Sequence, residues 1–364
     1  MAVIQDLPPE LLIRILELSI DSLLFSSSQK ETRKTFTRTA LVTRDWRAPS
    51  QSLLSSLFHL DDAHPGCWRR YLEALCTSDG QRFRRMKRLK LDVDRQNRSA
   101  LAGQLTLLQQ KDVDLQELSL VSTTSRGTSR VPNALLGWLV QGIRRLELDT
   151  SIQIDENFTL STKLLLDTLR IGSLVPELPS FLLPFASAAP RLTRLELHCW
   201  GERLTPTLNA SLCELAPQIT DLTIALPLYS SERRDDTASS LESFLRACTS
   251  VTAIRFFDPT PSDLKHTLSF LPNCLALLAV SNLSVDTLQD SMPKDLAETF
   301  DLPCMAKLRR WRMTSRTNST HAMGERVEKE WRAACRARGI EPRGAERFFT
   351  GESSVGVQNA SEPC

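Results

Sequence analysis

An apolar triplet with one fixed spacing recurs nine times along this chain of 364 residues. In each copy a second apolar residue follows the first by three positions, and a third follows by two more. Successive copies end between 23 and 33 residues apart, which is too short for a domain and too long for a coiled-coil heptad. The copies are Met86-Leu89-Leu91, Leu115-Leu118-Leu120, Ile143-Leu146-Leu148, Leu166-Leu169-Ile171, Leu192-Leu195-Leu197, Ile219-Leu222-Ile224, Val251-Ile254-Phe256, Leu275-Leu278-Val280 and Leu308-Trp311-Met313.

This period is typical of one strand and one helix stacked on the next such unit, as in a leucine-rich-repeat solenoid. We therefore expect an α/β fold with parallel strands and helices on the convex side. The irregular solenoid occupies residues 86–320. A three-helix segment at 1–60 and a linker helix at 61–85 precede it. A C-terminal capping helix at 321–350 and a disordered tail at 351–364 follow it.

Helical spacing of leucines also predicts where the connecting helices lie. These helices are expected at 99–109, 132–140, 179–187, 205–215, 238–247 and 261–270, near 285, and at 294–299. The last helix, at 321–338, ends before Gly339, and glycine favours a helix C-cap.

The first 60 residues contain three short helical patterns, at 11–20, 35–43 and 45–57. The first is preceded by Leu7-Pro8-Pro9-Glu10, which we interpret as a helix start. Proline is tolerated in a first helical turn, and an acid there suits the helix dipole. This segment resembles an F-box, which begins with Leu-Pro-x-Glu and a leucine-rich helix and ends in a Trp-Arg pair. The matching residues are Leu7, Pro8, Glu10, Leu11, Ile15 and Leu16, then Ala40-Leu41-Val42 and Trp46-Arg47.

Residues 35–60 and the Arg338-Gly339-Ile340 motif look like F-box proteins of basidiomycete fungi, in which diverged leucine-rich repeats commonly follow the F-box. The chain departs from that pattern in its long linker after the first helix and in Thr43, where a cysteine is common. The asparagine that follows the leucines in standard repeats is also absent, so we expect no regular asparagine ladder. The first such positions hold Thr123, Ser151, Leu174 and Trp200.

The resemblance implies that the N-terminal helices dock on a Skp-type adaptor of a cullin–RING ubiquitin ligase, and that the repeats hold a protein substrate. An apolar helix face and a large aromatic anchor suit such docking. The alternative is that these residues only pack the three-helix core, which is what we expect for Leu12, Leu41 and Val42. The adaptor-binding candidates are Leu7, Pro8, Leu11, Ile15, Leu16 and Trp46.

Because side chains alternate along a strand, the residues between the triplet members face the open side of the sheet. That row is mixed in charge and gains aromatic character near its middle. An ordinary solvated sheet face is the alternative to a binding surface for any one of these residues. The substrate-surface candidates are Glu147, Asp149, Arg170, Glu196, His198, Trp200, Arg255, Phe257 and Arg312.

Composition bounds the partners and the compartment. With 45 basic and 43 acidic residues, the net charge of +2 predicts neither a nucleic-acid nor a membrane partner. The basic cluster at 82–98 is expected to be a solvated repeat edge rather than a phosphate-binding patch. Nine cysteines without close pairs, and no signal sequence at 1–6, predict reduced thiols in the cytoplasm or nucleus.

No enzymatic motif emerges from the sequence. Nucleotide-binding glycine loops, a G-x-S-x-G elbow and H-E-x-x-H are absent, and the five histidines have no metal-ligand spacing. We therefore expect a protein without catalysis, cofactor or metal, although a thiol catalyst with a distant partner residue stays open. The two leading hypotheses are a ubiquitin-ligase substrate-recognition subunit and a non-ligase repeat scaffold, with a diverged hydrolase third.

Overall fold

The computed structural model describes residues 8–21, 36–42, 44–59, 87–92, 115–121, 129–131, 137, 140–148, 152–154, 163–172, 188–198, 206–225, 241–272, 275–284, 291–314 and 325–344. The chain divides into two compact units. The first unit comprises Met1–Ile224 and Ser230–Val251, and the second comprises Ala225–Tyr229 and Thr252–Cys364.

The first unit begins with helical segments where the sequence pattern places them. Helix α1 (Pro9–Asp21) is followed by a helical turn at 36–39 and by α2 (Arg44–Ser56), which packs against α1. Acidic residues occupy the first turns of both helices, as the helix dipole favours. The chain then enters a short strand, β1 (Leu57–His59), at the point where the sequence pattern continued the helix for one more residue.

Further strands follow in chain order. They are β2 (Arg88–Asp92), β3 (Glu117–Val121), β5 (Arg145–Leu148), β7 (Thr168–Ile171), β8 (Arg194–His198) and β9 (Asp221–Ala225), with β4 (Ser129–Val131) and β6 (Ile152–Ile154) forming a separate parallel pair. The order in the first unit is β1-β2-β3-β5-β7-β8-β9, and the pairs from β1 to β8 are parallel. Helices α3 (Pro206–Leu215) and α4 (Glu242–Ala247) pack side by side.

The second unit continues the strand-and-helix alternation. Its strands β10 (Ala253–Phe257), β11 (Leu277–Ser281), β12 (Arg310–Thr314) and β13 (Glu341–Arg343) pair in that order and are all parallel. Helix α5 (Pro261–Ser269) lies between β10 and β11, and α6 (Lys294–Thr299) lies between β11 and β12. A capping box starts α5, in which the Thr260 hydroxyl accepts from the Asp263 N–H and the Asp263 carboxylate accepts from the Thr260 N–H.

The triplets form the hydrophobic core. All 25 triplet side chains that the structure describes are buried, and the most exposed of them, Leu308, has 6% of its surface accessible. The side chains of Met86 and Leu91 lie outside the described set. Burying an aliphatic side chain of this size contributes about 1.5–3 kcal/mol. This gain explains why the same apolar spacing is used in each repeat.

A main-chain ladder joins consecutive strands at their entries. The carbonyl of Gln116 accepts from the N–H groups of Arg144 and Arg145, at 2.8 and 3.0 Å. The carbonyl of Arg144 then accepts from Asp167 and Thr168 at 2.9 and 3.0 Å. The same pattern recurs at the carbonyls of Lys87, Asp167, Thr193, Thr252 and Ala276. Backbone groups therefore make the regular cross-repeat bonds, in a sequence that lacks the asparagines of standard repeats.

The C-terminal helix α7 (Glu325–Ala337) closes the second unit through aromatic packing. The ring of Trp331 meets that of Trp311 edge-on, with centroids 6.1 Å apart, and Trp311 stacks at a tilt on Phe300 at 4.7 Å. The helix ends in a Schellman motif: the Ile340 N–H donates to the Cys335 carbonyl and the Gly339 N–H donates to that of Arg336. Gly339, with φ of +71°, turns the chain directly into β13.

The predicted connecting helices compare with the structure as follows. Those expected at 205–215, 261–270 and 294–299 agree within one residue, whereas the helix expected at 238–247 begins only at Glu242. The structure adds four strands that the pattern did not indicate, namely β1, β13 and the two members of the separate pair, β4 and β6. The helices expected at 99–109, 179–187 and near 285, the linker helix at 61–85, most of 132–140 and the tail at 351–364 lie outside the described residues.

Candidate interaction surfaces

Most of the described strands have one buried apolar face and a second, more open face, although Thr168, Glu196 and Thr223 on that second face are also buried. In β5 the side chains of Leu146 and Leu148 are buried, whereas Arg145 and Glu147 are only half-buried. The same alternation places two rows of residues on the open face. One row consists of the residues that come immediately before the middle residue of each triplet, and the other consists of the residues that come immediately after it. These two rows are the candidate interaction surface of the repeats.

In the first unit, hydrogen bonds and ion pairs run along each of the two rows and join neighbouring strands. Along the row after the middle member, the Ser119 hydroxyl donates to Glu147 at 2.7 Å, and the Arg170 guanidinium lies 3.1 Å from Glu147 and 3.9 Å from Glu196. The row before it continues the pattern through the pairs Arg88–Glu117, Arg145–Glu117 and Arg194–Asp221, at 3.1, 3.4 and 3.1 Å.

These cross-strand pairs involve three of the charged residues that the sequence suggested for substrate binding. Glu147, Arg170 and Glu196 neutralise one another across neighbouring strands, and Glu196 is only 8% exposed. Opposite charges that face each other across strands stabilise the pairing. Three of the substrate-surface candidates therefore first serve the sheet itself, whatever they also contact. The side chains of Asp149, His198 and Trp200 lie outside the described set.

The second unit has a different row. Across β10 to β12, the residues after each triplet's middle member are Arg255, Ala279 and Arg312, and Arg343 of β13 is in register with them. We call Arg255, Arg312 and Arg343 the arginine row. Arg312 is exposed, Arg255 and Arg343 are half-buried, and all three charges have the same sign. Phe257 on the same face is half-buried, so it presents only part of its ring.

The neighbouring row in the second unit holds Leu277, Arg310 and Glu341. Arg310 donates to the Glu341 carboxylate at 2.7 Å, and Arg343 also bonds to Glu341. Hydrogen bonding from Arg310, the largest influence, lowers the pKa of Glu341 from its ordinary value. Sequence reasoning missed Arg310 and Leu277, although the period-2 alternation places them on the open face; it could not find Arg343, because β13 has no triplet.

The N-terminal helices have a small core of their own. Leu12, Leu16, Phe36, Trp46 and Leu53 are buried together, and Ile13 packs against them. Of the adaptor-binding candidates, Leu16 and Trp46 thus lie in this core, with 3% and 9% of their surfaces exposed. Leu7 lies outside the described residues.

Other apolar side chains of this segment point outward. Pro8 and Leu11 are exposed, Leu11 by 51%, and Ile15 is half-buried. Residues separated by three and four positions share one helix face, so these three form a stripe. We call Pro8, Leu11 and Ile15 the apolar stripe. The prediction that Leu41 and Val42 pack in the core is wrong, since they are 82% and 62% exposed: the helical turn at 36–39 ends before them.

The described residues hold no other chemistry that would define a site. Within them, no three histidine, cysteine, aspartate or glutamate side chains are grouped as a metal would need. No described helix is both long enough and apolar enough to cross a bilayer.

Consecutive parallel strands that bury apolar triplets form a strand-and-helix repeat fold of the leucine-rich-repeat type. No protein-family model and no curated protein matches the sequence. Among solved structures, the chain is similar to the leucine-rich repeat-containing protein LegL7 from Legionella pneumophila. The sequence identity is 13%, the TM-score is 0.38, and the alignment covers 79% of this chain and 89% of that chain.

Proposed function

We propose that this protein is the substrate-recognition subunit of a Skp–cullin–F-box ubiquitin ligase. In this role the N-terminal helices dock on a Skp-type adaptor, and the repeat face holds a target protein. The protein itself performs no chemistry. Its contribution is to raise the concentration of a target lysine near the ubiquitin-charged enzyme.

The apolar stripe carries the proposal. Leu11 is half exposed on α1, while Leu12 and Leu16 of the same helix enter the core, so α1 has apolar side chains on two faces. One face is satisfied within the chain. An apolar helix face left open to water suits insertion into a groove on another protein.

The connection between helices and repeats supports the same role. Helix α2 runs directly into β1, which pairs with β2 in the register Leu57 to Arg88 and His59 to Lys90. The docking helices are therefore joined to the repeat sheet by strand pairing as well as by the chain. A subunit that positions a substrate relative to an adaptor needs such a stiff link.

The burial of Leu16 and Trp46 favours the second candidate, a repeat scaffold outside any ligase. Both side chains were candidates for adaptor contact, and both are committed to the internal core. In that case the N-terminal helices only protect the first edge of the sheet, as a solenoid cap does.

Co-purification of the full chain with a Skp-type adaptor separates the two candidates. We expect wild-type protein to capture the adaptor and Leu11→Asp to reduce capture at least about tenfold, because a charge at a buried interface centre is costly. Gln51→Asp is the matched control, since it adds the same charge at an exposed position of α2. Absence of capture by the wild-type chain would refute the ligase role and leave the scaffold.

A further inference from the structure

We infer that the arginine row binds an acidic segment of the target protein. This segment is an extended stretch that carries two carboxylates about three residues apart. This inference rests on the proposed function, in which the repeat face holds a target, and it names the chemistry of that target.

The arginine row is an electrostatic exception within this fold. In the first unit, the equivalent row reads Ser119, Glu147, Arg170 and Glu196, and its charges alternate in sign from strand to strand. In the second unit, Arg312 stands directly opposite Arg343. Like charges facing each other across a strand pair are destabilising. In the part of the chain that the structure describes, Arg312 makes no ion pair, and an acidic ligand would supply the missing counter-charge.

The row has room for a peptide as well as charge. Ala279 lies between Arg255 and Arg312, so a small side chain separates two long ones. Leu277, 44% exposed, and the half-buried Phe257 flank this gap on the two adjacent rows. Arginine stems and exposed apolar groups together suit a peptide with both acidic and apolar side chains.

Strand spacing gives the expected separation of the acidic side chains. Arg255 and Arg312 are two strands apart, which corresponds to about 10 Å at about 4.8 Å per strand. A polyproline-II segment advances about 9 Å in three residues and returns its side chains to the same side. A segment with acids at positions i and i+3, lying across the strands, therefore reaches both guanidinium groups.

The chemistry favours carboxylates of a protein over a nucleic acid. The basic side chains of this face are arginines, whose planar guanidinium pairs with a carboxylate through two hydrogen bonds. Glu341 lies between Arg310 and Arg343 and would repel a continuous phosphate backbone. The net charge of the whole chain, +2, also gives no long-range attraction for a polyanion.

Selection from a random peptide-display library, with the full-length chain as bait, tests the inference. We expect enrichment of peptides with two Asp or Glu residues three positions apart. Synthetic versions of the winners should bind about tenfold more weakly for each acid changed to its amide, and more weakly as salt rises. An Arg255→Glu, Arg312→Glu bait should lose the enrichment. The matched control is Lys329→Glu, Arg336→Glu, which makes the same charge change on exposed positions of α7.

Three outcomes would overturn the inference: no enrichment, enrichment that survives in the Arg255→Glu, Arg312→Glu bait, or winners without acidic pairs. Tighter binding of a 12-nucleotide RNA than of the winning peptides would also overturn it. Circular dichroism and adaptor capture are measured on every bait. Adaptor capture that fails while acidic peptides still bind would refute the proposed ligase role alone, and the reverse result would refute only the arginine row as the binding site.

Discussion

Replacing Gly339 by alanine should loosen the C-terminal closure of the second unit. Gly339 has φ of +71°, which only glycine adopts without cost, and the Schellman bonds of Ile340 and Gly339 require that conformation. An added Cβ would have no atom within 4 Å, so the cost is purely that of the backbone. A left-handed L-residue costs about 1–2 kcal/mol, and the reduced entropy of the unfolded chain returns about 0.4–1 kcal/mol. We expect a net loss of about 1 kcal/mol.

The effect should be local as well as global, because β13 begins two residues later. The Glu341 N–H, which donates to the Arg309 carbonyl at 2.9 Å, reports on that strand by hydrogen exchange. A loss of about 1 kcal/mol should speed its exchange about fivefold and lower the urea midpoint. Gly339→Asn should lie between alanine and wild type, since asparagine tolerates this region better.

Gly142→Ala provides the control. Its Cβ would lie 3.5 Å from the Leu115 carbonyl oxygen, an ordinary contact, and its φ is outside the left-handed region. We expect a change below about 0.5 kcal/mol. Unchanged exchange at Glu341 and an unchanged urea midpoint in Gly339→Ala would show that the Schellman turn does not hold β13 in place.

Three further predictions concern the core, the pH response and a thiol. Phe36→Ala should destabilise the N-terminal helices by about 3–5 kcal/mol because the ring is fully buried, whereas Leu41→Ala, at an exposed site, should cost below about 0.5 kcal/mol; urea denaturation would measure both. The folded pKa of Glu341 is lowered, so its stabilisation is present above its ordinary pKa of 4.5 and is lost as pH falls through the folded value. As pH falls from about 5 to about 3, the urea midpoint of Glu341→Gln should therefore decrease less than that of wild type. Burial raises the pKa of Cys335 to about 12, so iodoacetamide at about pH 8 should modify Cys335 only after unfolding, as peptide mass mapping would reveal; labelling in the native protein would contradict its burial.

The core was predictable from the sequence, and the open surface was not. In an apolar triplet such as Leu192-Leu195-Leu197, the last two residues alternate along a strand, and the first lies in the segment that leads into that strand. Both positions can be recognised from neighbouring residues alone. The pairing of Arg170 with Glu147 and Glu196 depends on which strands become neighbours and in what register. The sequence shows that Glu147 is charged, but it does not show whether that charge faces a partner protein or a guanidinium of its own sheet.

Two short strands, one in each unit, were also missed by sequence reasoning. Strand β1 and strand β13 have three residues each, and neither has a triplet. Each becomes a strand because a longer neighbour, β2 or β12, offers its unpaired backbone groups. The prediction that Leu41 and Val42 pack in the core failed for a related reason. Their exposure depends on where a helical turn ends.

The sequence by itself determined the repeat, its strand-and-helix period and the residues of its core, because burial of apolar side chains at a fixed spacing is a local pattern. Only the tertiary structure decided how the charges are used. It joined charges on the open face of the first unit by cross-strand ion pairs, and it aligned three arginines in one row of the second. It also replaced an absent asparagine ladder with main-chain bonds, which any residue type can make. Backbone bonding and strand register carry no signature in residue identity, so only the folded chain reveals them.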